Sequence, residues 1–153
     1  MEYYQLKEME RNQYPYLKNW YDIINPRYLN RRLYSRIPEC SIIEISSDEE
    51  TVFADMLMQP FLMVSREFAE VVRAYDQSIP YRAVVLLDYL NHYNFIYQLP
   101  ILEQVSEKDR QKEQVLYQWI GGGKNETHIR KDLSESLLRR RAVGMGLEQI
   151  TWQ

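Results

Sequence analysis

Alternation of apolar and polar positions is clearest between Tyr81 and Leu99. Tyr81–Leu87, rich in valine and leucine, predicts a core strand, and Asp88–His92 its turn. Tyr93–Leu99 predicts a second strand, with Tyr93, Phe95 and Tyr97 on one face and Asn94, Ile96 and Gln98 on the other. The opening Tyr3–Leu6 alternates in the same way, setting Tyr3 and Gln5 against Tyr4 and Leu6. Ile42, Ile43 and Ile45 predict a strand that runs into an exposed turn over Ser46–Glu50. Leu62–Ser65 reads as a buried strand leading to a helix, with Ser65 as N-cap, Glu67 in the first turn and an apolar stripe of Phe68, Val71, Val72 and Tyr75. Leu17, Trp20, Tyr21 and Ile24 have helical spacing, so Tyr16–Ile24 is expected to be helical up to Asn25-Pro26. The two flanking prolines, Pro15 and Pro26, can equally frame an ordered loop.

Pro100 marks a bend before Ile101–Val105, and the charged Ser106–Gln114 is expected to be a loop or an exposed helical turn. Val115–Ile120 is a further strand candidate and Gly121–Gly123 a turn. Ile129–Ile150 reads as a short strand, a capped amphipathic helix, a glycine stop and a last strand. Asp132 with Glu135 resembles a capping box, Leu133, Leu137 and Leu138 share a face, and Arg139–Arg141 complement the helix dipole before Gly144 and Gly146. Strands interspersed with two or three short packed helices predict a single α+β domain over residues 1–153, mainly antiparallel.

Composition narrows the class. With 45% hydrophobic and 27% charged residues, the 153-residue chain has a globular composition. A net charge of −3 supplies no global attraction to nucleic acid or acidic membranes. The first twenty residues carry charges throughout, unlike a signal peptide, and apolar runs such as Ala83–Leu87 are far too short for a membrane span. The lone cysteine, Cys40, rules out an intramolecular disulfide, so a cytoplasmic location is expected. Thirteen tyrosines suit half-buried sheet faces and also protein contact surfaces.

Catalytic and metal patterns are weak. Ser65 lacks the flanking glycines of a nucleophile elbow, and Cys40 stands beside Glu39, whose charge discourages a thiolate. His92, His128 and Cys40 are scattered, short of the four ligands of a structural zinc site, so no metal or other cofactor is expected. In the run Gly121–Lys124, Gln118 and Asn125 replace the glycine and the hydroxyl residue that a phosphate loop requires. Charge is more informative. Arg27, Arg31, Arg32 and Arg36 occupy a window free of acids, and Tyr28 and Tyr34 lie among them, as in some nucleic-acid-binding segments. The acidic block that follows, with Glu39, Glu44, Asp48, Glu49, Glu50 and Asp55, opposes such a partner, and a solvated or intramolecularly paired arginine cluster is the expectation.

Several segments together resemble the immunity protein eleven family of bacterial polymorphic-toxin systems. The resemblance is carried by Trp20, Asn25-Pro26 and Arg31-Arg32-Leu33, by Pro60-Phe61-Leu62-Met63-Val64-Ser65, and by Ile79-Pro80-Tyr81. It continues through Tyr97-Gln98-Leu99-Pro100-Ile101-Leu102, Ile129-Arg130, Asp132-Leu133 and Glu135-Ser136-Leu137-Leu138-Arg139-Arg140. It implies a cytosolic, non-enzymatic protein that binds and neutralises a cognate protein toxin; no catalytic residue is carried over. The expected mechanism is burial of aromatic anchors with charge-assisted encounter, and Glu44, Asp48, Glu49 and Glu50 are the contact candidates. Two other classes stay open: a small enzyme whose site joins His92 or His128 to dispersed carboxylates, and a nucleic-acid-binding module using Arg27–Arg36. Homo-oligomerisation through an edge strand is compatible with each.

Overall fold

The structure, a computed structural model, describes residues 2–10, 12–109 and 113–150. Its strands are β1 (Tyr3–Glu8), β2 (Tyr16–Leu17), β3 (Cys40–Ser46), β4 (Met56–Leu57), β5 (Met63–Val64), β6 (Tyr81–Asp88), β7 (Tyr93–Pro100), β8 (Gln104–Val105), β9 (Leu116–Gly121), β10 (Lys124–Arg130) and β11 (Met145–Gln149). Two α-helices, α1 (Arg66–Tyr75) and α2 (Lys131–Arg139), complete an α+β fold. One sheet has the order β11-β1-β10-β9-β8 and the other β2-β3-β6-β7-β5-β4. Pairing is antiparallel except for β3 with β6 and β8 with β9. Sequence-adjacent pairs such as β6–β7 close through short turns. The parallel β3–β6 pair joins segments separated by a long crossover that contains α1.

The two helices pack on each other, α2 against β10 of the five-stranded sheet and α1 against β7 of the six-stranded sheet, and their apolar faces share one core cluster. Phe68, Val71 and Val72 of α1 and Leu133 and Leu137 of α2 meet Leu6, Leu116 and Ile129, and Met56 and Val64 reach into the same cluster from the six-stranded sheet. Each such side chain contributes about 1.5–3 kcal/mol on leaving water. A second cluster lies on the opposite face of the six-stranded sheet, where Ile43, Val84, Leu86 and Leu99 are covered by Leu17, Ile24 and Ile37. The edge strand β2 and the irregular chain after it, not a helix, form this cover.

That cover corrects the helical expectation for Tyr16–Ile24. Tyr16–Leu17 pairs with β3, and Trp20–Asp22 makes one 3-10 turn after Asn19, which adopts the left-handed conformation at φ 51°. Leu17 and Ile24 are still buried, whereas Tyr21 is 62% exposed, so the apolar spacing is met by a winding path.

Ser65 caps α1 by accepting the Phe68 N–H at 3.1 Å, as the sequence predicts. The start of α2 differs from expectation. Its N-cap position is Arg130, without a side-chain cap, because β10 runs straight into the helix. Asp132 lies inside the first turn, where it takes a two-point ion pair from Arg130 at 2.7 and 2.9 Å, and Glu135 pairs with Arg139 instead of closing a capping box. The stop comes before the glycines: Arg141, at φ 61°, takes the left-handed position, and Leu138 is half exposed. The run Gly121–Gly123 forms the β9–β10 hairpin turn, with Gly122 and Gly123 at positive φ.

Candidate functional site

Six-stranded sheets bury both faces only when both are covered, and here the second face is covered in part. Near β4 and β5, Met56 and Val64 pack into the helical core. α1 covers the Tyr81 end of β6 and the neighbouring end of β7, and beyond it the same face of β3, β6 and β7 is open. Register sets Ile42 beside Val85 and Val85 beside Ile96, giving a row of three β-branched side chains across three strands. Ile42 and Ile96 are each 58% exposed. The next row is Glu44, Leu87 and Asn94, and Tyr16, 69% exposed, flanks it from β2.

Parallel pairing brings the far ends of β3 and β6 to one edge. The turn after β3 carries Asp48, Glu49 and Glu50, all exposed, and the β6–β7 turn carries Tyr89 and Leu90, at 61% and 84% exposure. Together with Ser47, Asn91 and Tyr93, the three acids line an open hollow of about 730 Å³. Glu44 lies on the open sheet face itself, 3.4 Å from Lys18. All four acidic candidates therefore gather around the end of β3, three in the hollow and one on the adjoining face.

The two turns are clasped. Ser47 donates to Asp88, and its oxygen also contacts the Tyr93 hydroxyl. Asp88 accepts the Asn91 backbone N–H at 3.0 Å and its side-chain amide at 2.9 Å. These bonds favour the carboxylate and lower the Asp88 pKa to about 2, with Ser47 as the largest cause. Behind the hollow, Phe53 stacks on Phe95 at 3.8 Å, and Tyr93 meets both rings edge-on. This hydrogen-bonded, aromatic base holds the turns without a strong base beside Ser47 to make it a nucleophile.

Two of the four arginines, Arg31 and Arg36, are occupied internally. Arg31 donates to the Ile101 carbonyl at 2.5 Å and lies 3.8 Å from Glu103, and Arg36 covers the Tyr28 ring. Tyr34 is covered by Arg82. Of the tyrosines that were candidates for base stacking, both thus carry a cation of this chain on the ring. His92 sits exposed in the β6–β7 turn at φ 56°, while His128 is buried on the other sheet against Tyr117 and Trp119. Burial lowers the His128 pKa against the opposing pull of Glu126. Among the described residues, no cluster of three His, Cys, Asp or Glu is arranged to hold a metal, and no helix is long and apolar enough to cross a membrane.

The exposed apolar residues of this surface were not singled out by sequence. One signal was present: Ile96 stands between Asn94 and Gln98 on the polar face of its strand, where an isoleucine gains nothing from a monomer's core. No family model matches the chain, and no curated protein matches it in sequence.

Proposed function

We propose that this chain is a non-enzymatic binding protein that docks a basic protein partner on the open face of the six-stranded sheet, and that the partner is a bacterial toxin which it neutralises in the cytoplasm. The observation that carries the proposal is the row Ile42–Val85–Ile96, left open to solvent and bordered by Glu44 and the Asp48–Glu50 turn. An apolar centre with a charged rim is how specific interfaces are built: desolvation of the centre provides affinity, and the rim steers encounter. Tyr89 and Leu90 add projecting anchors at the acidic end. The resemblance to the immunity protein eleven family supplies the toxin as the class of partner.

Co-expression with the product of a neighbouring toxin gene tests this directly. The expected result is restored growth and a stoichiometric complex, both lost in an Ile42→Lys, Ile96→Lys double variant that remains folded. A complex unaffected by that variant would remove the sheet face from the mechanism, and growth arrest despite abundant folded protein would end the toxin proposal.

A further inference from the structure

The open face of the six-stranded sheet has the footprint of one helix. Along β6, Val84 and Leu86 point into the core, so Ala83, Val85 and Leu87 point to the open side. Their neighbours in register are Cys40 and Gln98, Ile42 and Ile96, and Glu44 and Asn94. Strand spacing and rise make this patch about 10 Å across and about 13 Å long. Two features bound it at opposite corners. α1 packs over the far end of β7, and its Arg73 lies 4.4 Å from the ring of Tyr81, the residue that precedes Ala83 in the same series. Diagonally opposite stands the exposed Tyr16, paired with Ser46 at the other end of β3.

The patch is apolar in its middle and acidic at one end. Glu44 shares its carboxylate with Lys18, whereas Glu49 and Glu50 have no ion pair among the described residues. Leu90 projects at that same end. Given docking on this face, the reading on which this inference rests, we propose that the partner engages it through a single amphipathic α-helix of about ten residues. The helix lies beside α1 in the same layer, apolar toward Ile42, Val85 and Ile96, with lysine or arginine toward Glu49 and Glu50.

A helix with its side chains is about 10–12 Å wide and rises about 1.5 Å per residue, so about ten residues match the open area in both dimensions. α1, itself ten residues long, covers its own share of the sheet in this way. A partner sheet would pack about 10 Å above this one, in the layer that α1 and Tyr16 already enter at two corners. A rod passes between them. The acidic turn repels an anionic bilayer and the matching turn of a second copy, and it attracts a basic helix.

The test is a display selection on the folded chain. Segments of about fourteen residues, long enough to populate a helix, are displayed in two equal sets. One set places leucine at helical spacing and the other alternates leucine with polar residues; polar positions are drawn equally from lysine, glutamate and glutamine. Binders are kept only if an Ile42→Lys, Ile96→Lys double variant with a native amide spectrum fails to hold them. These should come from the helical set, be rich in lysine, and shift the methyl resonances of Ile42, Val85 and Ile96 saturably. Their affinity should fall about tenfold against Glu49→Lys, Glu50→Lys. Binders from the alternating set, or rich in glutamate, would overturn the helix while leaving the open face as a docking surface. The inference would also fall if no binder depended on Ile42 and Ile96, or if sedimentation showed a dimer that the double variant abolishes. The toxin reading is then decided separately, by its own co-expression complex.

Discussion

Ser47 donates its hydroxyl to the carboxylate of Asp88, 41 residues further along the chain. This bond ties the acidic turn after β3 to the projecting β6–β7 turn and so fixes how the two present themselves to a partner. A free aspartate titrates at 3.8 and Asp88 near 2, so between these values the folded chain holds fewer protons than the unfolded one. The stability contributed by this carboxylate is therefore full above about pH 4 and lost as the pH falls toward 2. Urea denaturation across that range should show an acid-sensitive component that Asp88→Asn removes.

His128 should produce a second, milder pH dependence. Its folded pKa is lowered from 6.5, chiefly by burial, so protonation is disfavoured in the native state. Stability should be full above 6.5 and decline as the pH falls through the folded value. His128→Gln should flatten this limb, measured by denaturant midpoints at about pH 7.5 and about pH 5.5.

The α1 cap has a second duty that separates two normally equivalent substitutions. Ser65 accepts from Phe68 and also donates to Asp55 at 2.7 Å, while Asp55 accepts the Val143 N–H at 2.6 Å. Ser65→Ala should cost about 1–2 kcal/mol. Ser65→Asp, ordinarily an adequate cap, should destabilise as well, because its carboxylate would face that of Asp55. Thermal denaturation of the two variants checks both expectations.

Gly144 and Gly122 both adopt positive φ, at 82° and 58°, but their surroundings differ. A Cβ at Gly144 would lie 2.4 Å from the Ala54 Cβ, whereas nothing lies within 4 Å of one at Gly122. Gly122→Ala should cost about 1 kcal/mol from backbone strain alone. Gly144→Ala should cost roughly 2–4 kcal/mol, since the loop after α2 must move away from the β4 approach. Equilibrium unfolding in urea will rank them.

On the acidic edge, reversing Glu49 and Glu50 to lysine should leave the unfolding midpoint nearly unchanged, as both are exposed; Asp48 is kept because its carboxylate accepts the Glu50 N–H at 2.9 Å and holds the turn. Association with a basic partner should slow by about tenfold or more and lose most of its dependence on ionic strength. Stopped-flow association at two salt concentrations measures this.

Local signals were legible wherever neighbours in sequence are neighbours in space. The alternation of β6 and β7 and the Ser65 cap of α1 needed only a hairpin and a helix turn. The Tyr16–Ile24 spacing misled because Leu17 is buried from the edge strand β2 and Ile24 from the irregular chain that follows it, a path that no local period encodes. Asp132 had a cap's composition, but its position depended on where β10 ends, a matter of pairing with β1 and β9. The four acidic candidates were legible as a charge block, whereas their company with Tyr89 and Leu90 required the parallel β3–β6 register.

Two strands that travel the same way deliver their following loops to a common rim, although those loops are coded far apart. Substitutions at the exposed tips, Glu49–Glu50 and Tyr89–Leu90, can accumulate while the Ser47–Asp88 bond keeps the two loops together and the interior packed beneath β3 and β6 stays unchanged. Such an arrangement lets a lineage change what it recognises by drift at either location while inheriting an unaltered scaffold.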